Sequence, residues 1–243
     1  HYRSWLSNGH YGSGELGMLS PEDLSAFAIS LRLAAVTTLI LLLLASPLAW
    51  WLSQTRSRFR SIIEALVALP LVLPPTVLGF YLLLGLSPTG PFAGALETLG
   101  IDRLAFSFQG LVLGSVIYSL PFVVQPLQNS FYALGKRPLE VAATLGAGPL
   151  HRFIHVVLPL SKLGYLTAAV LGFAHTLGEF GVVLMIGGNI PGETHVVSIA
   201  IYDHVEALEY SQAHWLSAAL LALSFIVLLV VYSTNKHFTL VRS

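Results

Sequence analysis

The chain has 243 residues, 55% hydrophobic and only 10% charged, with basic and acidic side chains in equal number. A soluble domain carries about 25% charged residues, so this composition is that of an integral membrane protein. Zero net charge offers no nucleic-acid footprint, and the lack of cysteine excludes a disulfide framework, a thiolate metal site and a cysteine nucleophile.

His1–Gly17 is polar and glycine-rich, with no apolar core of a signal peptide. Met18 reads as a natural start, so residues 1–17 are expected to be a disordered or artificially appended tail and residues 18–243 a single transmembrane domain. Ser20-Pro21-Glu22-Asp23 reads as a helix start: a capping serine, proline at the first position and acids in the first turn. A first span follows over Ala26–Leu52, long enough to cross a bilayer. Arg32 near its outer end can snorkel, and Trp50 and Trp51 mark the opposite interface. After a loop with Arg56, Arg58 and Arg60 comes a second span, Ile62–Leu86, interrupted by Pro70, Pro74 and Pro75. A polar connection, Ser87–Gln109, leads to a third span over Gly110–Asn129 with Pro121 and Pro126 inside it. A fourth span is expected over Leu163–Ile186. A polar loop, Gly187–Ala213, carries Glu193, Asp203, Glu206 and Glu209. A fifth span, His214–Tyr232, ends in a short tail with Lys236 and Arg242.

Arg56, Arg58, Arg60, Lys136, Arg137, Arg152, Lys162, Lys236 and Arg242 all fall on one side of these five spans. That side is cytoplasmic by the positive-inside rule, with the N-terminus outside and the C-terminus inside. Most acids outside the spans fall on the other face.

Between the third and fourth spans lies EVAATLGAGPLHRFIHVVLP, Glu140–Pro159. Pro138 suits a helix start, Glu140–Leu145 make a short helix, and Gly146 ends it. Pro149 opens a second short helix, and Pro159 is expected to limit it. This helix–Gly–helix is too polar for hydrocarbon and is pinned between two spans, as a docking peg would be. Its spacing resembles the EAA loop of ABC importer permeases, the cytoplasmic coupling helix that fits a cleft in the ATPase subunit. The matching positions are Glu140, Ala142, Ala143, Gly146, Val156, Leu158 and Pro159. Val141 departs from the usual alanine and adds bulk to a short helix. The resemblance implies that Glu140, Ala142, Ala143, Gly146, Arg152 and Pro159 meet the ATPase.

Leu69–Leu84 reads LPLVLPPTVLGFYLLL. Each proline removes a backbone donor, and in lipid the freed carbonyls need protein or cavity water. A broken helix that lines a pathway satisfies this; a plain kinked span is the bland alternative. In the fourth span, His175-Thr176-Leu177-Gly178-Glu179-Phe180-Gly181 places a carboxylate in an apolar run. There it costs about 2.5–3.5 kcal/mol and must pair, face the interior or be protonated. His175, four residues earlier on the same helix face, is a candidate partner. Glu179 reads either as part of a gate or as a packing carboxylate. It is a poor ligand for an oxyanion, which it repels. The outer loop then carries Gly188-Asn189-Ile190-Pro191-Gly192-Glu193-Thr194, a turn in which Glu193-Thr194 are expected to begin the next helix.

The proline-rich block resembles the second conserved block of molybdate-type permeases. GEFG followed by NIPGET resembles molybdate and tungstate permeases specifically. Sulfate permeases share the first of these two blocks. Pro74, Pro75, Thr76, Glu179, Gly181 and Asn189 are therefore the candidates for the translocation pathway or gate. His151 and His155 stand at helical spacing, but no third metal ligand is near them. No H-E-x-x-H, G-x-S-x-G or phosphate-loop pattern occurs.

The resemblance implies an all-α membrane protein of about five spans with the type I ABC importer permease fold. It implies the permease subunit of an ATP-driven importer for an oxyanion, molybdate or tungstate, in the inner membrane. Two copies would form the pathway, two ATP-binding cassette subunits would hold ATP and Mg, and an extracytoplasmic protein would deliver the anion. The chain itself would carry no cofactor and no catalytic site. A sulfate permease, a secondary anion transporter or channel, and an intramembrane enzyme built on His175 and Glu179 are the alternatives.

Overall fold

A computed structural model describes residues 19–98 and 104–239. The expected tail at residues 1–17 and Arg242 lie outside the described residues. Twelve α-helices occur among those described, and three are long and apolar enough to cross a membrane alone.

The first is α1, Pro21–Gln54, which starts as the sequence predicts. Ser20 Oγ accepts from the Asp23 N–H at 3.1 Å and the Asp23 carboxylate accepts from the Ser20 N–H at 3.0 Å, a reciprocal cap. α5, Phe108–Leu134, keeps both internal prolines, and Ser107 caps it. α12, Tyr210–Thr239, is the third, with a crossing segment over Tyr210–Leu229. The core sits where α1, α5 and α9 (Lys162–Leu177) pack, around Leu41, Leu52, Val123, Leu127, Phe131 and Ala168.

The other two expected spans are broken rather than continuous. The second is α2 (Arg60–Val72) and α3 (Pro75–Leu86), which meet at 111° across Leu73 and Pro74. Pro74 and Pro75 cannot donate to the ladder, so the helix restarts in a new direction. The fourth differs from the uninterrupted span expected over Leu163–Ile186. α9 ends at Leu177, residues 178–180 are non-helical, and α10 (Gly181–Gly187) starts again. Apolar stretches on both sides of Gly178-Glu179 add up to the length of one span, so a count of apolar residues hides the break.

The hook between α5 and α9 is helix–Gly–helix. α6 spans Arg137–Thr144 and α7 Pro149–Arg152. The second helix ends at Leu160, one residue past Pro159. A π-turn over Phe153–Val157 widens the ladder ahead of the proline, α8 (Leu158–Leu160) continues, and the chain bends by 74° into α9. Between α3 and α5 lies the short α4, Ala93–Thr98. After α10 the outer loop carries α11, Val197–Glu206. Glu193-Thr194 belong to a turn, not to that helix.

The two ends differ in chemistry. At one, Arg60 bonds Glu64 at 3.0 Å and Tyr132, Gln128 donates to Glu64 at 2.7 Å, and Tyr132 donates to the Leu52 carbonyl at 3.2 Å. This ties α1, α2 and α5 beside the hook. At the other end, Arg32 stacks over Phe108 at 4.4 Å, and His204 bridges Asp23 at 2.9 Å and Glu209 at 2.8 Å. Partial burial pulls the His204 pKa down, but its bonds to Asp23 and Glu209 win and leave it above 6.5. A raised folded-state pKa means the stabilisation is complete below 6.5 and is lost as pH rises through the shifted value. The unfolding midpoint of purified permease is expected to fall over that window, and His204→Gln to flatten the profile. A flat profile in the unmodified chain would remove the clasp.

Candidate functional site

Both breaks face each other. α10 packs on α3, and a Cβ at Gly181 would lie 2.7 Å from Pro75 Cβ, so the two restarted helices touch at their first residues. Only a residue without a side chain allows that approach. Next to this contact is a cavity of about 610 Å³, lined by Pro75, Thr76, Tyr118, His175, Glu179 and Gly181, among others. Four predicted pathway residues, Pro75, Thr76, Glu179 and Gly181, thus meet around one space, with Pro74 capping α3 beside it. Asn189 does not reach it. It sits in the outer turn with φ +57° and donates to the Asp203 carboxylate at 2.9 Å. That turn closes on itself. Thr194 Oγ1 donates to the Gly187 carbonyl at 2.7 Å and accepts from the Ile190 N–H at 2.9 Å.

Glu179 is 4% exposed, and neither carboxylate oxygen has a hydrogen-bond partner among the described residues. Ser115 Oγ faces it from α5 without closing a bond of ordinary geometry. What is fixed is the backbone: Ser198 Oγ donates to the Glu179 carbonyl at 2.6 Å. The expected pairing with His175 does not occur, because the helix ends between them. His175 Nδ1 lies 2.9 Å from Ser119 Oγ, and its ring stacks on Phe122 at 3.8 Å. Sequence reasoning misses Tyr118, Ser119 and Phe122, since nothing local marks which face of α5 turns inward.

At the basic end, α6 buries no residue. Val141, Leu145 and Leu150 are 61%, 83% and 70% exposed, an apolar ridge on a loop that is otherwise polar. Such a ridge marks an interaction surface. Behind it is a cavity of about 310 Å³, where Glu140, Lys136, Arg152 and Ala143 meet Trp50 and Gln54 of α1. Arg152 Nε is buried without a partner among the described residues. Trp50 is not an interfacial anchor. It packs edge-on against Phe131 at 5.5 Å and Phe153 at 5.8 Å and so seats the hook on α1, while Trp51 stays exposed.

Broken helices around an intramembrane cavity that holds a buried carboxyl, with an exposed helical hook at the basic end, define a helical membrane transport subunit. The chain belongs to the family of binding-protein-dependent transport system inner membrane components, whose family model matches residues 42–239. It is thus the multi-pass permease component of an ABC importer, not the subunit that hydrolyses ATP. It is 59% identical to the molybdenum transport system permease protein ModB of Azotobacter vinelandii, over 90% of this chain and 96% of that protein. Identity to the ModB of Haemophilus influenzae is 36%, over 76% of this chain and 80% of that one. The sulfate transport system permease protein CysT of Salmonella typhimurium is 31% identical, over 90% and 79%. The fold is shared with a bacterial alginate ABC transporter (TM-score 0.73, 18% identity, 90% of this chain and 80% of that one) and with the MetNI methionine ABC transporter (TM-score 0.68, 14% identity, 88% and 94%).

Proposed function

We propose that this chain carries molybdate, and its near-isostere tungstate, across the inner membrane as the permease of an ATP-driven importer. The identity to a molybdenum permease over nearly the whole chain carries this reading, being far above that to the sulfate permeases. Two copies form the pathway. Two ATPase subunits, holding ATP and Mg, dock on the hook through Glu140, Ala142, Ala143, Gly146, Arg152 and Pro159. An extracytoplasmic binding protein delivers the anion to the opposite face. ATP-driven closure of the ATPases moves the hook, and the hook moves α5 and α9, which leave its two ends.

The walls around Pro75 and Thr76 hold the anion weakly. Thr76 lies in the first turn of α3, where its own N–H is the donor left free, since those of Val77 and Leu78 bond the Pro74 carbonyl, and the helix dipole favours an anion. No cation is needed, and a tight site would trap a dianion. In proteoliposomes holding permease, ATPase and loaded binding protein, ATP-dependent uptake of molybdate is expected to exceed that of sulfate. Equal uptake of the two, or uptake without ATP, would overturn the assignment.

The N-terminus lies outside and the C-terminus in the cytoplasm. Single cysteines placed at Lys136 or Arg58 are expected to resist an impermeant thiol reagent in intact cells, and one at Glu206 to react. Labelling at position 136 from outside would reverse the orientation.

A further inference from the structure

A second cavity, of about 470 Å³, lies between α5 and α9. Its polar lining comes from Gln125, Asn129, Ser130 and Thr167, and no charged residue borders it. Gln125 and Asn129 stand four residues apart, on one face of a membrane-spanning helix, and both are exposed. Gln128, on the neighbouring face, is held by Glu64 at 2.7 Å; the Gln125 and Asn129 amides have no hydrogen-bond partner among the described residues. Unpaired amides are costly against hydrocarbon, so this face belongs to water or to protein. Thr167 spends its hydroxyl proton on the Leu163 carbonyl at 2.9 Å, which leaves the two amides and Ser130 as the free donors.

The groove adjoins the cavity at the helix breaks. Phe122 lines the groove, His175 lines the cavity, and their stacked rings separate the two. Ser119 fixes the His175 side of that partition. Gln125 and Asn129 lie two to three turns beyond Tyr118 along α5, roughly 10–16 Å deeper toward the basic end. We propose that this groove is a second station for the transported oxyanion, where Gln125, Asn129 and Ser130 donate hydrogen bonds to a tetrahedral dianion after it passes the Phe122–His175 partition. Neutral donors suit a transit site, because they satisfy oxyanion acceptors and still release them. The uncharged amide donors and the position next to the first cavity, across one pair of rings, favour an anion over a helix of the second permease copy as the occupant. This inference rests on the oxyanion-importer reading.

Asn129→Asp and Gln125→Glu replace a donor with an acceptor at nearly constant shape. In proteoliposomes with the complete importer, each is expected to cut ATP-dependent molybdate uptake by about tenfold or more, as loss of charge-assisted hydrogen bonds does. Complex assembly and the stimulation of ATP hydrolysis by loaded binding protein should persist. Asn129→Ala, which adds no charge, should lose less. Wild-type uptake in both acidic variants would overturn the station. So would a loss of uptake merely proportional to a loss of assembly, which would make the groove a contact between permease copies. An unmodified importer that takes up no oxyanion would overturn the parent reading, and this one with it.

Discussion

Gly146→Val is expected to leave the permease in the membrane and strip it of its ATPase. The α6 end is a Schellman turn. The Gly146 N–H bonds the Ala143 carbonyl at 2.9 Å, and the Ala147 N–H bonds the Ala142 carbonyl at 3.0 Å. Gly146 has φ +82°, and nothing lies within 4 Å of where its Cβ would be. Space is therefore not the constraint; the left-handed backbone is. A β-branched residue there costs about 1–3 kcal/mol, which re-aiming α7 relieves. Asparagine tolerates the same conformation, so Gly146→Asn should retain most of the coupling. Glu140→Lys is expected to act by charge. Glu140 lies in the first turn of α6 and shares a cavity with Lys136 and Arg152. A lysine there adds a third cation at the wrong end of the helix dipole and reverses the charge the hook presents to the ATPase. Losing one partner of a buried charge contact costs about 2–5 kcal/mol. The check is co-purification of the ATPase, then hydrolysis with and without loaded binding protein. Wild-type association and stimulation in both Gly146→Val and Glu140→Lys would remove the hook from the coupling role.

Signals carried by local chemistry were legible in the sequence. The capped start of α1, the Gly146 turn, the restart at Pro75 and the apolar runs all follow from residues within a turn of one another. Directions in space were not. The break at residues 178–180 lies between two apolar stretches that together are long enough for one span, and its docking on α3 gives it a reason. The His175–Glu179 pairing assumed one unbroken helix. The actual partners of His175, Ser119 and Phe122, lie more than fifty residues earlier, beyond the reach of spacing rules. Trp50 likewise looks like an interfacial belt residue until Phe131 and Phe153 close around it. Asn189 matches a motif, yet its side chain is spent on Asp203. A motif marks which residues a family keeps together in sequence, not which of them reach the same cavity.

Glu179 makes the sharpest case for a gate. A buried carboxylate with no hydrogen bond is a liability to folding, so a leucine in its place removes an unsatisfied group rather than a contact. The link to Ser198 runs through the Glu179 backbone carbonyl and survives substitution. Glu179→Gln and Glu179→Leu are both expected to assemble fully, with unfolding midpoints equal to or above that of the unmodified permease. The Glu179 oxygens are buried beside a roomy cavity, and the carboxylate ionises when the pathway opens there to water. Against a dianion roughly 8 Å away, at an effective dielectric of about 20, it raises a barrier of about 4 kcal/mol. Removing that barrier is expected to speed ATP-independent efflux of molybdate from loaded proteoliposomes by about tenfold or more, and to lower the gradient that ATP sustains. The two variants should behave alike, because the lost charge, not the shape, sets the barrier. If either variant fails to assemble, the carboxylate has a structural partner in the dimer. If both assemble and neither leaks, the barrier lies elsewhere, and the Phe122–His175 partition is the next place to look.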